Sequence, residues 1–182
     1  MDLQIQPATP NDAEIVALLG RVTFAETFGH LFANHAADLR TYLDRTFAVA
    51  KICSSLGEPD NRYWLSHLNG LPIGYAKLKY PSPTSLLPNE DPAQLQKIYV
   101  LREFISQGIG KVLLSAVLDN AAQRGLKTVW LDVLKQNTRA IRFYERQGFT
   151  PLGDDTYSIG AQTFEFHLMA LRGDLGQTRE TR

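Results

Sequence analysis

Between residues 95 and 133 the sequence admits one arrangement. Leu95 to Leu101 reads as a strand, Gly108-Ile109-Gly110 forms a loop, and Ile109, Val112, Leu113, Ala116, Val117 and Ala121 recur at helical spacing. Gly125 ends that helix as a C-cap residue. The run Thr128-Val129-Trp130-Leu131-Asp132-Val133 is nearly continuous and apolar, as in a strand buried on both faces near the centre of a sheet. Strand, helix and strand make a βαβ unit, so the chain is expected to be a mixed α/β layer structure, a central sheet flanked by helices.

The flanking segments fit such a sheet. Leu3 to Gln6 alternates as a short strand; Thr9 then caps a helix with Pro10 at its first position and Ile15, Leu18, Leu19, Val22 and Ala25 along its apolar side. A second helix is expected from about Asn34 to Ala50, with Leu39, Tyr42, Leu43 and Phe47 on one face. Asn69-Gly70 between two strand-like runs signals a hairpin, because both central residues of a type I′ turn need positive φ. Pro81 to Pro92 is a long proline-rich connection. A further helix covers Thr138 to Gln147 and stops at Gly148, and Tyr157 and Phe164 to Ala170 mark two last strands. A single domain over 1–172 is expected, followed by a polar, frayed tail over 173–182.

Composition removes whole classes of function. Nineteen Lys plus Arg balance nineteen Asp plus Glu, so no net positive field exists to hold a nucleic-acid backbone. The longest apolar stretches are about seven residues against the roughly 20 that span a bilayer, and the amino end lacks the pattern of a secretory signal. A cytoplasmic protein with no membrane or nucleic-acid partner is expected. Cys53 is the only cysteine, which excludes an internal disulfide; it is read as a buried, inert thiol. His30, His35, His67 and His167 have no carboxylate or cysteine at ligand spacing, so no metal site is expected.

A glycine-bearing loop that opens a helix offers backbone N–H groups and the positive end of the helix dipole to an anion such as a phosphate. Gly108-Ile109-Gly110-Lys111-Val112-Leu113 is not a dinucleotide fingerprint, since Leu113 stands where the third glycine belongs. Nor is it a P-loop, since Val112 follows Lys111 where Ser or Thr is needed. The glycines by themselves allow either a phosphate cradle or a tight turn.

The stretch Ile98 to Leu114, with Gln107-Gly108-Ile109-Gly110-Lys111 inside it, closely resembles the acetyl-CoA-binding segment of the GCN5-related N-acetyltransferases. Asn137-Thr138-Arg139-Ala140-Ile141-Arg142-Phe143-Tyr144-Glu145-Arg146-Gln147-Gly148-Phe149 resembles that family's second motif. The order of elements matches the family fold over about residues 3 to 171. The nearest resemblance within the family is to PaiA-like polyamine acetyltransferases, through Thr23 to Phe28, Tyr42-Leu43 and Gln96 to Val100. Two departures stand out. Ile105 occupies a position where the family usually has Gln or Arg, and Gln94 and Gln96 stand where the polyamine group has acidic residues.

The resemblance implies an acetyl-CoA-dependent N-acetyltransferase acting on a primary amine, a polyamine or another small molecule. A peptide or protein acetyltransferase and a non-catalytic acyl-CoA-binding module are the alternatives, and a homodimer is compatible with each. It implies that the N–H groups of Ser106, Gln107, Gly108, Ile109, Gly110 and Lys111 take the pyrophosphate, while the backbone of Ile98, Tyr99 and Val100 pairs with the pantetheine arm. Tyr144 matches the family tyrosine near the thioester sulfur and is the candidate general acid; its place on the helix's apolar stripe equally allows a core residue. Asn137 bonds the pantetheine arm, caps its helix, or does both. Asp132 is the candidate base, its pKa lifted by burial, or a structural carboxylate. Glu26 meets a cationic amine or lies on a solvated helix face.

Overall fold

The computed structural model describes residues Asp2–Pro88 and Glu90–Gly176. They form two compact units: residues through Leu78 with Lys97–Val117, and Lys79–Gln96 with residues from Leu118 onward. Two strands and one helix run from one unit into the other along the chain.

The first unit holds β1 (Leu3–Pro7), α1 (Ala13–Phe28), α2 (Ala36–Thr46), α3 (Val49–Gly57), β2 (Asn61–Leu68), most of β3 (Leu71–Lys79), and the end of β4 (Ala93–Val100). Its strands lie in the order β1-β2-β3-β4, with β1 antiparallel to β2 and Leu3 opposite Leu68. Asn69 and Gly70 take φ of 50° and 81°, as the expected hairpin turn requires. Thr9 precedes a short 3-10 turn, Pro10–Asp12, and both its N–H and its Oγ1 donate to Asp12 Oδ2, at 2.8 and 2.9 Å.

The packed face of α1 is not the one its large apolar residues suggest. Of the expected apolar side Leu19 is buried, but Leu18 is 62% exposed and Val22 36% exposed, and Ala13, Val16, Ala17, Gly20, Thr23 and Phe24 are buried with Leu19. The reason is Phe47, whose ring occupies the space a Cβ on Gly20 would need. Small residues let the core approach the helix backbone, and that gain outweighs leaving Leu18 in water. Phe47 also breaks the expected helix over Asn34–Ala50: it leaves the helical path after α2 (φ −114°, ψ 31°), and α3 starts afresh at Val49. Cys53 on α3 is exposed, not buried. The helical run Pro10–Phe32 is long and apolar enough, by length and composition alone, to cross a membrane. Its buried residues pack instead in the core of this unit, with Phe24 stacked on Tyr42 at 4.7 Å between ring centroids.

The second unit holds the start of β4, β5 (Thr128–Leu134), α5 (Thr138–Arg146), β6 (Thr150–Ile159) and β7 (Gln162–Arg172), in the strand order β4-β5-β7-β6. Helix α4 (Ile109–Gln123) begins in the first unit and ends here. β4 runs parallel to β5, with Ala93 beside Val129 and Gln94 beside Trp130; β7 is antiparallel to both β5 and β6. Parallel and antiparallel pairs together make the mixed α/β class expected. Every residue of β5 is buried except Asp132.

The proline-rich connection is tied to the sheet. Trp130 Nε1 donates to the Ser82 carbonyl at 2.8 Å, Arg172 Nε donates to Glu90 Oε1 at 3.1 Å, and Thr128 Oγ1 donates to the other Glu90 oxygen. Leu87 packs on Trp130, Leu168 and Ala170. The start of the tail is not frayed: the Gly173 N–H donates to the Lys127 carbonyl at 2.9 Å, and Leu175 is buried. Residues 177–182 of the tail lie outside the described residues.

Candidate active site

In the first unit, the end of β4 leads through a 3-10 turn (Arg102–Phe104) into Ser106-Gln107-Gly108 and the start of α4. Ser106 and Gly108 both have positive φ, 75° and 80°, so left-handed backbone stands on each side of Gln107. A Cβ on Gly108 would meet nothing within 4 Å, so the loop faces open space there. The carbonyl of Gly108 accepts from Lys111 N–H at 2.9 Å and Val112 N–H at 3.2 Å. This corrects the expectation for Lys111, whose amide is spent on the helix. The amides of Ile109 and Gly110 precede the first of these bonds and are the helix's leading donors. An open loop that leads into the N-terminus of a helix fits the pyrophosphate of acetyl-CoA.

Ile98, Tyr99 and Val100 are half-buried on β4. Their position is set by Gly74 of β3, where a Cβ would come 2.5 Å from the Tyr99 carbonyl oxygen. The Leu101 N–H then closes on the Ile73 carbonyl at 2.8 Å. Gly74 was not singled out from the sequence, although a lone glycine inside the apolar strand Ile73-Gly74-Tyr75 is the signal for such a close approach. Glu26, expected at a cationic amine, accepts the Arg102 N–H on Oε2 at 2.9 Å, and its backbone carbonyl accepts from the Arg102 guanidinium. It ties α1 to the segment that carries the loop.

In the second unit, Asn137 caps α5 as its local sequence implies: Oδ1 accepts from the Ala140 N–H at 3.1 Å. Tyr144 is the buried side chain of that helix, its ring 5.2 Å from Phe143 and 5.6 Å from Phe149 between centroids. Burial raises its phenol well above the ordinary pKa of 10.0, so it carries its proton throughout the neutral range. Asp132 differs from expectation. It is exposed where burial was expected, and Gln94 Nε2 donates to its Oδ2 at 2.9 Å. Among the described residues, no group of three or more His, Cys, Asp or Glu comes together as a metal site would require.

The model of the acetyltransferase (GNAT) family matches residues 26–149, more than half of the chain. The chain belongs to that family. It is an acetyl-CoA-dependent N-acetyltransferase with an amine-type acceptor. It is 24% identical over 156 residues to an uncharacterised N-acetyltransferase of Lactobacillus delbrueckii subsp. lactis, covering 86% of this chain and 88% of that one. The acetyltransferase shares its fold with the PaiA N-acetyltransferase of Thermoplasma acidophilum, solved with coenzyme A (TM-score 0.72, 18% identity, 94% and 99% of the two chains). The ribosomal-protein-S18-alanine N-acetyltransferase of Escherichia coli is similar as well (TM-score 0.69, 20% identity, each chain covered in full).

Proposed function

We propose that this acetyltransferase modifies the primary amine of a small molecule, with Tyr144 as general acid and Asp132 as the carboxylate that meets the amine. The observation that carries the reading is the place of Tyr144: the buried phenol of α5, the helix that resembles the family's second motif. Acetyl-CoA, when bound, supplies an acetyl group activated as a thioester. The amides of Ser106 to Gly110 would hold its pyrophosphate, and the backbone of Ile98, Tyr99 and Val100 its pantetheine arm, with Asn137 assisting.

The acceptor must attack as a free amine, so an ammonium proton passes to the Asp132 carboxylate and leaves the nitrogen lone pair free. As the C–N bond forms and the C–S bond breaks, the departing sulfur takes the Tyr144 proton, which spares the site an unpaired thiolate, and the proton that the acetylated nitrogen then sheds restores the phenol. The resemblance of Thr23 to Phe28, Tyr42-Leu43 and Gln96 to Val100 to polyamine acetyltransferases favours a small amine. A second reading, acetylation of a protein N-terminus, is favoured by 41% identity over 59 residues to the ribosomal protein bS18-alanine N-acetyltransferase of Escherichia coli, a match covering 32% of this chain.

The deciding experiment is turnover with acetyl-CoA on a panel of spermidine, tyramine, amino-acid amides and a peptide with N-terminal alanine. Turnover confined to the peptide overturns the small-amine reading. A lack of turnover on all of them overturns both.

A further inference from the structure

On one face of the second unit a chain of side-chain hydrogen bonds ends at Asp132. β4 and β5 are in register with Gln94 beside Trp130, so Gln94, Gln96, Trp130 and Asp132 share that face through the two-residue period of strands. Gln94 Nε2 donates to Asp132 Oδ2 at 2.9 Å, and Gln94 Oε1 accepts from Gln96 Nε2 at 3.0 Å and from Ser82 Oγ at 3.2 Å. Ser82 is itself pinned, its N–H to the Pro92 carbonyl at 2.9 Å and its own carbonyl to Trp130 Nε1 at 2.8 Å.

These bonds have one direction. An ionised carboxylate only accepts, so the Gln94 NH2 must face Asp132 and its oxygen must face Gln96 and Ser82. A carboxylate that only keeps a strand soluble needs no such frame; water would orient it. Here an exposed Asp on an otherwise buried strand is held by a half-buried amide, which is in turn held by the connection between β3 and β4.

We infer that Gln94 is a positioning residue for acetyl transfer: it fixes the Asp132 carboxylate in the orientation that receives the acceptor's ammonium group. The inference rests on the role given to Asp132 above. Gln94 is then not a lost polyamine-binding acid but the neutral partner that a single carboxylate needs, since a second carboxylate at 2.9 Å would repel it.

Four variants test this on the fastest amine of the panel: Gln94→Met, Gln94→Glu, Asp132→Asn and Gln94→Met with Asp132→Asn. Gln94→Met keeps the length of the side chain and removes the amide. It is expected to lower kcat/KM for the amine about tenfold, the lower end for a charge-assisted hydrogen bond, while KM for acetyl-CoA stays at the parental value. Gln94→Glu keeps a polar group of the same size and should lose as much. The decisive readout is the double variant, expected to be no slower than Asp132→Asn alone, because a residue that acts through Asp132 has nothing to orient once the carboxylate is gone.

Losses that add in the double variant, or parental kcat/KM in Gln94→Met, overturn the inference. If Tyr144→Phe is slow while Asp132→Asn is not, the acetyl-transfer reading stands and this inference falls. If the parent acetylates no amine, both fall.

Discussion

Gly74 and Tyr99 approach so closely across β3 and β4 that one added methyl group could not fit between them: a Cβ on Gly74 would lie 2.5 Å from the Tyr99 carbonyl oxygen and 3.2 Å from the Val100 Cα. The stretch of backbone proposed to bind the pantetheine arm is therefore held in place by an absent side chain. Gly74→Ala must push β4 outward. The expected cost is about 1–3 kcal/mol of stability, as for other overpacked sites, together with an acetyl-CoA affinity lowered further than amine affinity. Denaturant unfolding and calorimetric titration of acetyl-CoA check both. Unchanged binding in a folded variant would mean that the Ile98–Val100 backbone is not the contact.

Glu26 gives a second prediction of the same selectivity. Its carboxylate holds the Arg102 N–H, on the segment between β4 and the glycine loop. Glu26→Ala should raise KM for acetyl-CoA several-fold and leave KM for the amine alone. A rise confined to the amine would restore Glu26 to the acceptor side.

If Tyr144 protonates the departing sulfur, Tyr144→Phe keeps the ring between Phe143 and Phe149 and loses the proton. Turnover is then expected to fall by about 10²- to 10⁴-fold with acetyl-CoA binding intact, measured under conditions where chemistry limits the rate. A core tyrosine would show parental turnover. The pH dependence has a definite sign. A phenol whose folded pKa is raised contributes stability that is complete below the unfolded value near 10.0 and is lost as pH rises beyond it. Parental protein should therefore destabilise above about pH 10, where the buried Tyr75 adds to the effect, and no alkaline limb of the rate below that pH should belong to Tyr144.

At the other end of the pH scale stands Asp154. His167 Nδ1 at 2.7 Å and Lys135 Nζ at 2.9 Å hold its carboxyl below the ordinary value of 3.8. A lowered folded pKa contributes stability above the unfolded value and loses it as pH falls through the folded one. The difference in Tm between the parent and Asp154→Asn should be constant from pH 7 to about pH 5 and shrink below about pH 4. All three groups are on the surface, so the difference is expected to be small and to fade in high salt. A gap that persists unchanged at pH 3 would refute the assignment.

Much of this protein was decided by local rules that act within a few residues. Asn69-Gly70 had to turn because two consecutive positive φ angles are tolerated there, Asn137 had to cap α5, and the βαβ order of residues 95–133 required a sheet with helices on it. The two motifs, at Ile98 to Leu114 and Asn137 to Phe149, carried the family because they are contiguous in the chain. What only the tertiary structure decided is what depends on partners distant in sequence. Phe47 packs on Gly20, and so α1 buries the face that carries Gly20 and leaves Leu18 in water; the chain leaves the helical path at the same Phe47, which cuts one expected helix into two. Asp132 is exposed where its apolar neighbours implied burial, and it is oriented by an amide 38 residues away. Periodicity records how apolar a face is but not how close another backbone can come to it, and close packing rewards the second.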